Sequence, residues 1–343
     1  MNWIPLLLAD PSPCLRLLVL QDLLHKSESN LEVKELKEIR DSDFLIVDFI
    51  KLQQSDGSWN GADFPNLFTY TDKITTTSMV LLRFGFLGYS SEHPSVQKGV
   101  DFLFSKQSDE GSWPLPLRSQ KVDGGYDMIP LQTAFPLRAV AACGYSTNER
   151  AELGFEWLLA QRLRDGSWPA GTKAGTRGFI AGYRKLAHSR WGCRTNTTAA
   201  LHCLALHPTY QTGEDAHRAL DLLLARETRE KHTLGFEVTR LIGLELATGY
   251  FTHFARFDAA FLLHLCWRVG ASTEDDRVNE LLEFILQQQG SYGLWNYPPF
   301  PQASRWITFD ILRSLSGLDN STDWLSLEPR TPFRTYQRSE KRF

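Results

Sequence analysis

One phrase occurs four times in the sequence. VDFIKLQQSDGSW (47–59), GVDFLFSKQSDEGSW (99–113) and GFEWLLAQRLRDGSW (154–168) share an order of aromatic residue, glutamine, glycine and tryptophan, and a weaker copy, LLEFILQQQGSYGLW, ends at Trp295. The first three phrases end 54 and 55 residues apart, and the last ends 127 residues later, which is about two periods plus an insertion. Repeats of this kind predict a solenoid or a ring of similar structural units.

Each period contains two helical segments of different character. ITTTSMVLLRFGFLG (74–88) is apolar on nearly all sides, whereas SSEHPSVQKGVDFLFSKQ (90–107) is amphipathic. The alternation continues along the chain and gives five pairs, one further apolar helix and an additional helix at 235–249. Apolar helices need cover on most sides, while amphipathic ones keep one wet face, so the pattern predicts two concentric layers. We predict an all-α fold, in which ring closure would give an α/α toroid and failure to close would give a solenoid.

The repeated phrase is interpreted as a structural clasp. The outer helix ends near the glutamine, and the glycine then turns the chain because it can adopt a positive φ. The glutamine amide can satisfy unpaired groups at helix ends, and the tryptophan covers the apolar edge. This interpretation gives Trp59, Trp113 and Trp168 a role in joining helical pairs rather than in catalysis.

Composition narrows the range of functions. The chain has 343 residues and a net charge of −3, with basic and acidic residues interspersed, so no basic stripe indicates a nucleic-acid partner. It contains no phosphate-binding loop, dinucleotide fingerprint, nucleophile elbow or HExxH, and we predict no cofactor. No apolar run approaches the ~20 residues that cross a bilayer. The start lacks the features of a signal peptide, so we predict a cytoplasmic protein.

Two further expectations concern organisation and cysteine chemistry. We predict a single toroid domain at 1–320 and a C-terminal tail at 321–343. The five cysteines are mostly in apolar helical stretches and are predicted to be buried and reduced.

The phrases QQSDGSW, KQSDEGSW, QRLRDGSW and QQQGSYGLW resemble the QW repeats of squalene–hopene and oxidosqualene cyclases, and related repeats occur in protein prenyltransferase β-subunits. The resemblance covers about residues 10–316. It implies an all-α fold, an (α/α)6-type toroid (barrel) of alternating inner and outer helices with QW-like repeats, around a largely apolar cavity. The chain has room for one barrel where the best-known class II cyclases have two. The implied activity is protonation-initiated (class II) cyclisation of a linear isoprenoid or prenylated aromatic substrate by a single-domain terpene cyclase.

In that family the acid lies in a DxDD motif at the mouth of an inner helix, and this sequence contains no DxDD. Among the inner-helix starts, Asp258 matches the final aspartate of the motif, with Phe257 at the preceding acid's place. Burial would raise the pKa of Asp258, as an acid catalyst requires, whereas pairing with Arg256 would lower it. Helix capping or that ion pair is the alternative role. Asp310 and Asp72 are reserve candidates, with a salt bridge and an N-cap as their alternatives.

Aromatic faces can stabilise a carbocation, so aromatic side chains are candidates for a substrate-facing wall. For each, ordinary core packing is the alternative. The candidates are Tyr70, Tyr126, Phe135, Trp191, Phe254, Phe257, Phe261, Trp267 and Trp306.

Two segments, LRFGFLGY (82–89) and LWNYPPFPQASRW (294–306), are candidates for an apolar rim in peripheral contact with a membrane, with packing on neighbouring residues as the alternative. The oligomeric state is left open.

Three other functions are alternatives: a zinc site, a polysaccharide-processing barrel and a non-catalytic toroid. A zinc site like that of prenyltransferase β-subunits would need an Asp-x-Cys pair; WGCRTNTTAALHCLALHP (191–208) offers cysteines and histidines without it, so no metal is predicted. A polysaccharide-processing barrel would need more carboxylates at the inner-helix starts. The alternative to a cyclase is a non-catalytic toroid that binds a lipid or a partner protein.

Overall fold

The structure is a computed structural model that describes residues 3–68, 72–113, 130–169, 186, 189, 191–224, 233–245 and 258–318. Within these ranges the chain forms helices and turns, with isolated bridges and no strand. The helices are α1 (Ile4–Leu8), α2 (Pro13–Leu18, continued by a π-helical turn at Val19–Leu23), α3 (Leu31–Ile39), α4 (Val47–Lys51), α5 (Lys73–Phe86), α6 (Pro94–Ser105), α7 (Pro130–Val140), α8 (Glu149–Ala160), α9 (Arg194–Leu204), α10 (Glu214–Leu224), α11 (Phe236–Leu241), α12 (Ala259–Val269), α13 (Asp276–Leu286) and α14 (Ser304–Leu318).

The inner layer of the described chain consists of α2, α5, α7, α9, α12 and α14, which follow one another around a ring. The thiol of Cys203 in α9 donates to the Ala134 carbonyl of α7 at 3.0 Å, and Nε of Arg268 in α12 donates to the Ala205 carbonyl at 3.0 Å. The ring closes where Arg313 of α14 lies 3.5 Å from Asp22, in the π-helical turn after α2. Helices α3, α6, α8, α10 and α13 pack outside their inner neighbours. The predicted all-α toroid is confirmed.

The repeat tryptophans are fully buried and make the same two hydrogen bonds in every copy. Each indole Nε1–H donates to the carbonyl ten residues earlier, on the preceding outer helix, at 2.7 to 2.8 Å. Each backbone N–H donates to a threonine hydroxyl on the next inner helix, at 3.0 to 3.1 Å. One tryptophan thus joins an outer helix to the following inner helix, as the clasp interpretation predicts. The tryptophan–threonine pairs are Trp59 with Thr77, Trp113 with Thr133, Trp168 with Thr197 and Trp295 with Thr308.

The glutamine of the phrase links successive outer helices. Nε2 of Gln53 donates to the Ser95 carbonyl at 2.8 Å, and Nε2 of Gln107 donates to the Arg150 carbonyl at 2.9 Å. Both carbonyls belong to the first turn of the next outer helix. In the third copy Arg162 occupies the equivalent position and pairs with Asp215 of α10 at 2.8 Å. An ion pair therefore replaces the amide in that copy while the connection is kept.

The glycine of the phrase is constrained both by its backbone conformation and by its surroundings. Gly111 has a φ of 90°, and a Cβ atom there would overlap the backbone carbonyl of Leu153 in α8. Gly144 has a φ of 86°, but the nearest atom to a Cβ there, in Ser91, is 3.9 Å away. The two glycines thus share a conformation and differ in the space around them.

We expect Gly111→Ala to lower the free energy of unfolding by about 3 kcal/mol or more, because conformational strain and a backbone clash add. Gly144→Ala is the matched control, and we expect it to cost only the ~1–2 kcal/mol of a left-handed non-glycine residue. Denaturant titration of both variants measures the difference. Equal losses would show that close approach of α8 does not determine the glycine at position 111.

Helix α11 packs inside the ring. Its six residues are buried, and it contacts α5 and α14. Glu237 of α11 also pairs with Arg138 of α7 at 2.7 Å. The helix predicted at 235–249 therefore exists, but it ends at Leu241, and residues 246–249 lie outside the described ranges. The predicted tail at 321–343 lies outside them as well.

Other sequence expectations have mixed outcomes. All five cysteines are buried and unpaired, as predicted. No helix in the described ranges has the length and apolar character needed to cross a membrane. The proposed membrane rim fails for Phe84, Tyr89, Trp295 and Trp306, because these side chains are at most 2% exposed and pack against the core. The alternative, packing on neighbouring residues, holds for these four.

Candidate active site

A cavity of about 190 Å³ lies inside the ring, between α11 and the inner helices. About half of its lining residues are ionisable, although most of the surface that they expose to the cavity is apolar. The apolar lining is Leu82, Gly85, Phe86, Ala142, Leu206, Val238, Leu241, Phe261 and Trp267, and the ionisable lining is Arg138, His202, Glu237, Asp258, His264, Arg268, Asp310 and Arg313.

Asp258 lies in the cavity wall and caps two helices at once. Its Oδ1 accepts hydrogen bonds from the backbone N–H groups of Gly235 at 2.9 Å and Ala260 at 3.1 Å. Its Oδ2 accepts from the N–H of Glu237 at 2.8 Å. Burial raises the pKa of Asp258 to about 6, against the opposing effect of these N–H donors. The capping role and a partly protonated, buried carboxyl therefore coexist; Arg256 lies outside the described ranges.

Asp310 lines the same cavity, whereas Asp72 does not. Burial raises the pKa of Asp310 from its ordinary value, although Arg313 lies 2.9 Å away and acts in the opposite direction. Asp72 is the N-cap of α5 and accepts from the N–H of Thr75 at 2.8 Å. The structure thus brings together two of the three predicted acids and gives the third the capping role named as its alternative.

Of the predicted aromatic wall, Phe261 and Trp267 line the cavity. Phe135 and Trp306 are buried in the core outside the lining, and Trp306 packs on Phe86 with ring centroids 5.8 Å apart. Trp191 is 57% exposed at the surface. The remaining candidates lie outside the described ranges: Tyr70, Tyr126, Phe254 and Phe257.

Two histidines in the cavity wall are neutral. Burial, reinforced by nearby arginines, lowers the pKa of both His202 and His264 well below its ordinary value. Their ring centroids are 5.9 Å apart, and Nδ1 of each has no hydrogen-bond partner among the described residues. Within the described ranges no three potential ligand side chains converge as they would around a metal ion. Cys203, next to His202, points instead toward α7.

Most of the charged side chains that line the cavity were not predicted from the sequence. Glu237 pairs with Arg138 at 2.7 Å and with Arg240 at 3.4 Å, and all three side chains are buried. Arg268 lies near the C-terminal end of α12, an otherwise apolar helix. These residues could have been recognised because each is an ionisable residue in a helix that has no polar side, so its side chain has to be buried.

The arrangement defines a class of protein: an α/α toroid with acidic groups in a central cavity. Residues 27–188, just under half of the chain, match the family described as the squalene-hopene cyclase C-terminal domain. The lanosterol synthase of Saccharomyces cerevisiae is 31% identical over 137 residues, which are 38% of this chain and 18% of that protein. The squalene–hopene cyclase of Zymomonas mobilis is 30% identical over 127 residues, 36% of this chain and 18% of that protein.

Solved structures give a weaker match over more of the chain. The type II terpene cyclase MstE from Scytonema, in complex with geranylgeranyl dihydroxybenzoate, has a TM-score of 0.36 and 17% identity, covering 80% of this chain and 95% of that chain. The sequence matches confirm the resemblance predicted from the repeats: the chain is similar to squalene–hopene cyclases and lanosterol synthases. It spans less than a fifth of the length of the curated relatives it matches.

Proposed function

We propose that the chain is a class II terpene cyclase that protonates an isoprenoid or prenylated aromatic substrate in the central cavity. The observation that carries this proposal is Asp258, a cavity-lining carboxyl group whose pKa burial raises to about 6. A carboxyl in that range supplies a proton near neutral pH and is reformed when a proton returns. No cofactor is required, because the reaction consumes and releases one proton.

The first step transfers the carboxyl proton of Asp258 to one carbon of an alkene. The π electrons form the new C–H bond, the other carbon becomes a carbocation, and ring closure moves the positive charge along the chain. Loss of a proton from a neighbouring carbon then restores a double bond. The N–H groups of Gly235, Glu237 and Ala260 stabilise the carboxylate that is left, because all three already point at its oxygens.

The surroundings support passage of positive charge. Phe261 and Trp267 line the cavity, and aromatic rings attract cations. The guanidinium groups of Arg138 and Arg313 would oppose a carbocation, but each lies within 2.9 Å of a carboxylate oxygen, of Glu237 and Asp310 respectively. The carboxylates offset much of the repulsion from these two groups. Arg268, the third guanidinium of the lining, has no carboxylate partner among the described residues, so its repulsion is not offset in this way.

The test is product formation from squalene and geranylgeranyl substrates. We expect wild type to give cyclised product and Asp258→Asn to lower its rate by at least about 100-fold, because the amide cannot donate an acidic proton. Wild-type activity should fall as pH rises above about 6, since the acid form of Asp258 is then lost.

Asp72→Asn is the matched control, because asparagine also caps a helix and Asp72 lies outside the cavity lining. Melting temperatures of both variants separate loss of chemistry from loss of folding. Full activity of Asp258→Asn together with loss of activity in Asp310→Asn would transfer the acid role to Asp310.

A non-catalytic toroid that binds a lipid is the second candidate. It is favoured by the absence of DxDD and by the cavity volume of about 190 Å³, which is below the ~300–1,000 Å³ typical of small-molecule sites. Saturable binding of a prenyl compound by wild type, with no product after prolonged incubation, would favour this function over cyclisation.

A further inference from the structure

The cavity wall holds one cation that no described carboxylate neutralises. Arg268 lies near the C-terminal end of α12, where its Nε donates to the Ala205 carbonyl at 3.0 Å and its guanidinium lies 5.4 Å from the ring centroid of Trp267. Within the described ranges it forms no ion pair, and Nη1 and Nη2 donate to no described residue. Its positive charge is therefore held at the cavity without an acidic partner.

The other charges of the cavity are compensated. Glu237 pairs with Arg138 and Arg240, and Asp310 pairs with Arg313. Asp258 accepts backbone N–H groups at both oxygens. The carboxylates of the lining thus already have donors, and Arg268 does not compete for them.

The two neutral histidines add unused hydrogen-bonding capacity beside this cation. His202 and His264 line the same cavity, and neither side chain forms a hydrogen bond to a described residue. Burial, together with the nearby charge of Arg313, also lowers the pKa of Arg268 from its ordinary value, which means that the cation is poorly solvated there. A ligand group with several oxygen acceptors and a negative charge would satisfy all three side chains.

Another part of the lining is apolar. Phe86 and Leu82 come from α5, and Val238 and Leu241 come from α11. A ligand that fits both parts has a charged end and a hydrocarbon end.

We infer that Arg268, with His202 and His264, forms a subsite for the anionic head group of an amphiphilic prenyl ligand, a carboxylate or a phosphate. The inference rests on the proposed function for the hydrocarbon part of the ligand and adds its substrate class. Neutral hydrocarbons such as squalene would leave Arg268 buried without a counter-charge, which disfavours their binding.

Three ligands with the same C20 chain test this by isothermal titration calorimetry: geranylgeranoic acid, geranylgeranyl monophosphate and the neutral geranylgeraniol. We expect one or both anions to bind wild type at least about tenfold more tightly than the alcohol, since hydrogen bonds to charged groups contribute that much. The tighter of the two anions identifies the head group as carboxylate or phosphate.

Arg268→Gln should remove the preference for the anion by about 10- to 100-fold, and Arg268→Lys should retain part of it. Arg305→Gln is the control, because Arg305 lies outside the cavity lining and is half-buried near Asp10. Melting temperatures verify that each variant is folded. Equal affinity of wild type for the alcohol and both anions, or an unchanged preference in folded Arg268→Gln, would overturn the inference.

The same experiment keeps the two proposals distinguishable. Tight, Arg268-dependent binding of an anion without any cyclised product contradicts the proposed function and leaves the subsite intact. Cyclisation of the neutral alcohol, with no effect of Arg268→Gln on binding or rate, contradicts the subsite and supports the cyclase.

Discussion

Trp113→Ala is expected to lower the free energy of unfolding by about 3–5 kcal/mol, the range for truncating a fully buried aromatic side chain. Trp113 is buried completely, and its indole N–H donates to the Leu103 carbonyl at 2.8 Å. Removal leaves a large void between α6 and α7 and takes away one of the two hydrogen bonds that the Leu103 carbonyl accepts, the other coming from the N–H of Lys106. Denaturant titration, with an unchanged slope as the sign of a two-state transition, measures the loss.

Trp113→Phe is the informative comparison for the clasp. It keeps much of the apolar volume but loses the hydrogen bond to Leu103, so we expect an intermediate loss of about 1–3 kcal/mol. If phenylalanine proved as stable as tryptophan, the indole hydrogen bond repeated in all four copies would contribute nothing to holding the helical pairs together.

Arg277→Ala is expected to cost about 3–5 kcal/mol, because it leaves two buried carboxylates without their cation. Nη2 of Arg277 lies 3.0 Å from Asp221 of α10 and 2.9 Å from Asp275, the N-cap of α13. The side chain is completely buried.

The control is Lys73→Ala, which removes an exposed ion pair with Asp56 at 2.7 Å and should change stability by no more than about 1 kcal/mol. Denaturant unfolding of both variants measures the two losses. A loss for Arg277→Ala no larger than that for Lys73→Ala would mean that the buried carboxylates do not depend on their cation.

Arg277 also forms the connection between α10 and α13, where the sequence lacks a QW phrase. In the first two copies a glutamine amide connects one outer helix to the first turn of the next. Between α10 and α13 the phrase is absent, and the Asp221–Arg277–Asp275 cluster connects the same two kinds of element. The connection between successive outer helices is therefore present here too, although it is made by different residue types.

The fold could be predicted from the sequence because each copy of the repeat contains the residues that fix the geometry between neighbouring helices. In each copy a tryptophan forms hydrogen bonds with the carbonyl ten residues earlier and with a threonine in the following inner helix. A glycine such as Gly111 turns the chain at positive φ. These residues impose the same geometry wherever they recur. The alternation of apolar and amphipathic helices then leaves two concentric layers as the arrangement that buries both.

The site could be predicted only in part, because an inner helix is buried on every side. Periodicity identifies the buried side of an amphipathic helix, but it cannot distinguish the cavity-facing side of α12 from the side that packs on α13. His264 and Arg268 therefore gave no directional signal, and Glu237 came from a short helix whose position inside the ring depends on long-range packing. Asp258 was identifiable because it precedes a helix, which is also why its capping role was foreseeable.

The double cap formed by Asp258 links an acid–base equilibrium to the shape of the ring's interior. Any shift of α11 away from α12 removes the Gly235 and Glu237 donors from the carboxylate, and loss of donors to the charged form raises its pKa further. Movement of α11 away from α12 and protonation of Asp258 are thus thermodynamically coupled. Return of α11 would favour the ionised state that remains after the proton has left.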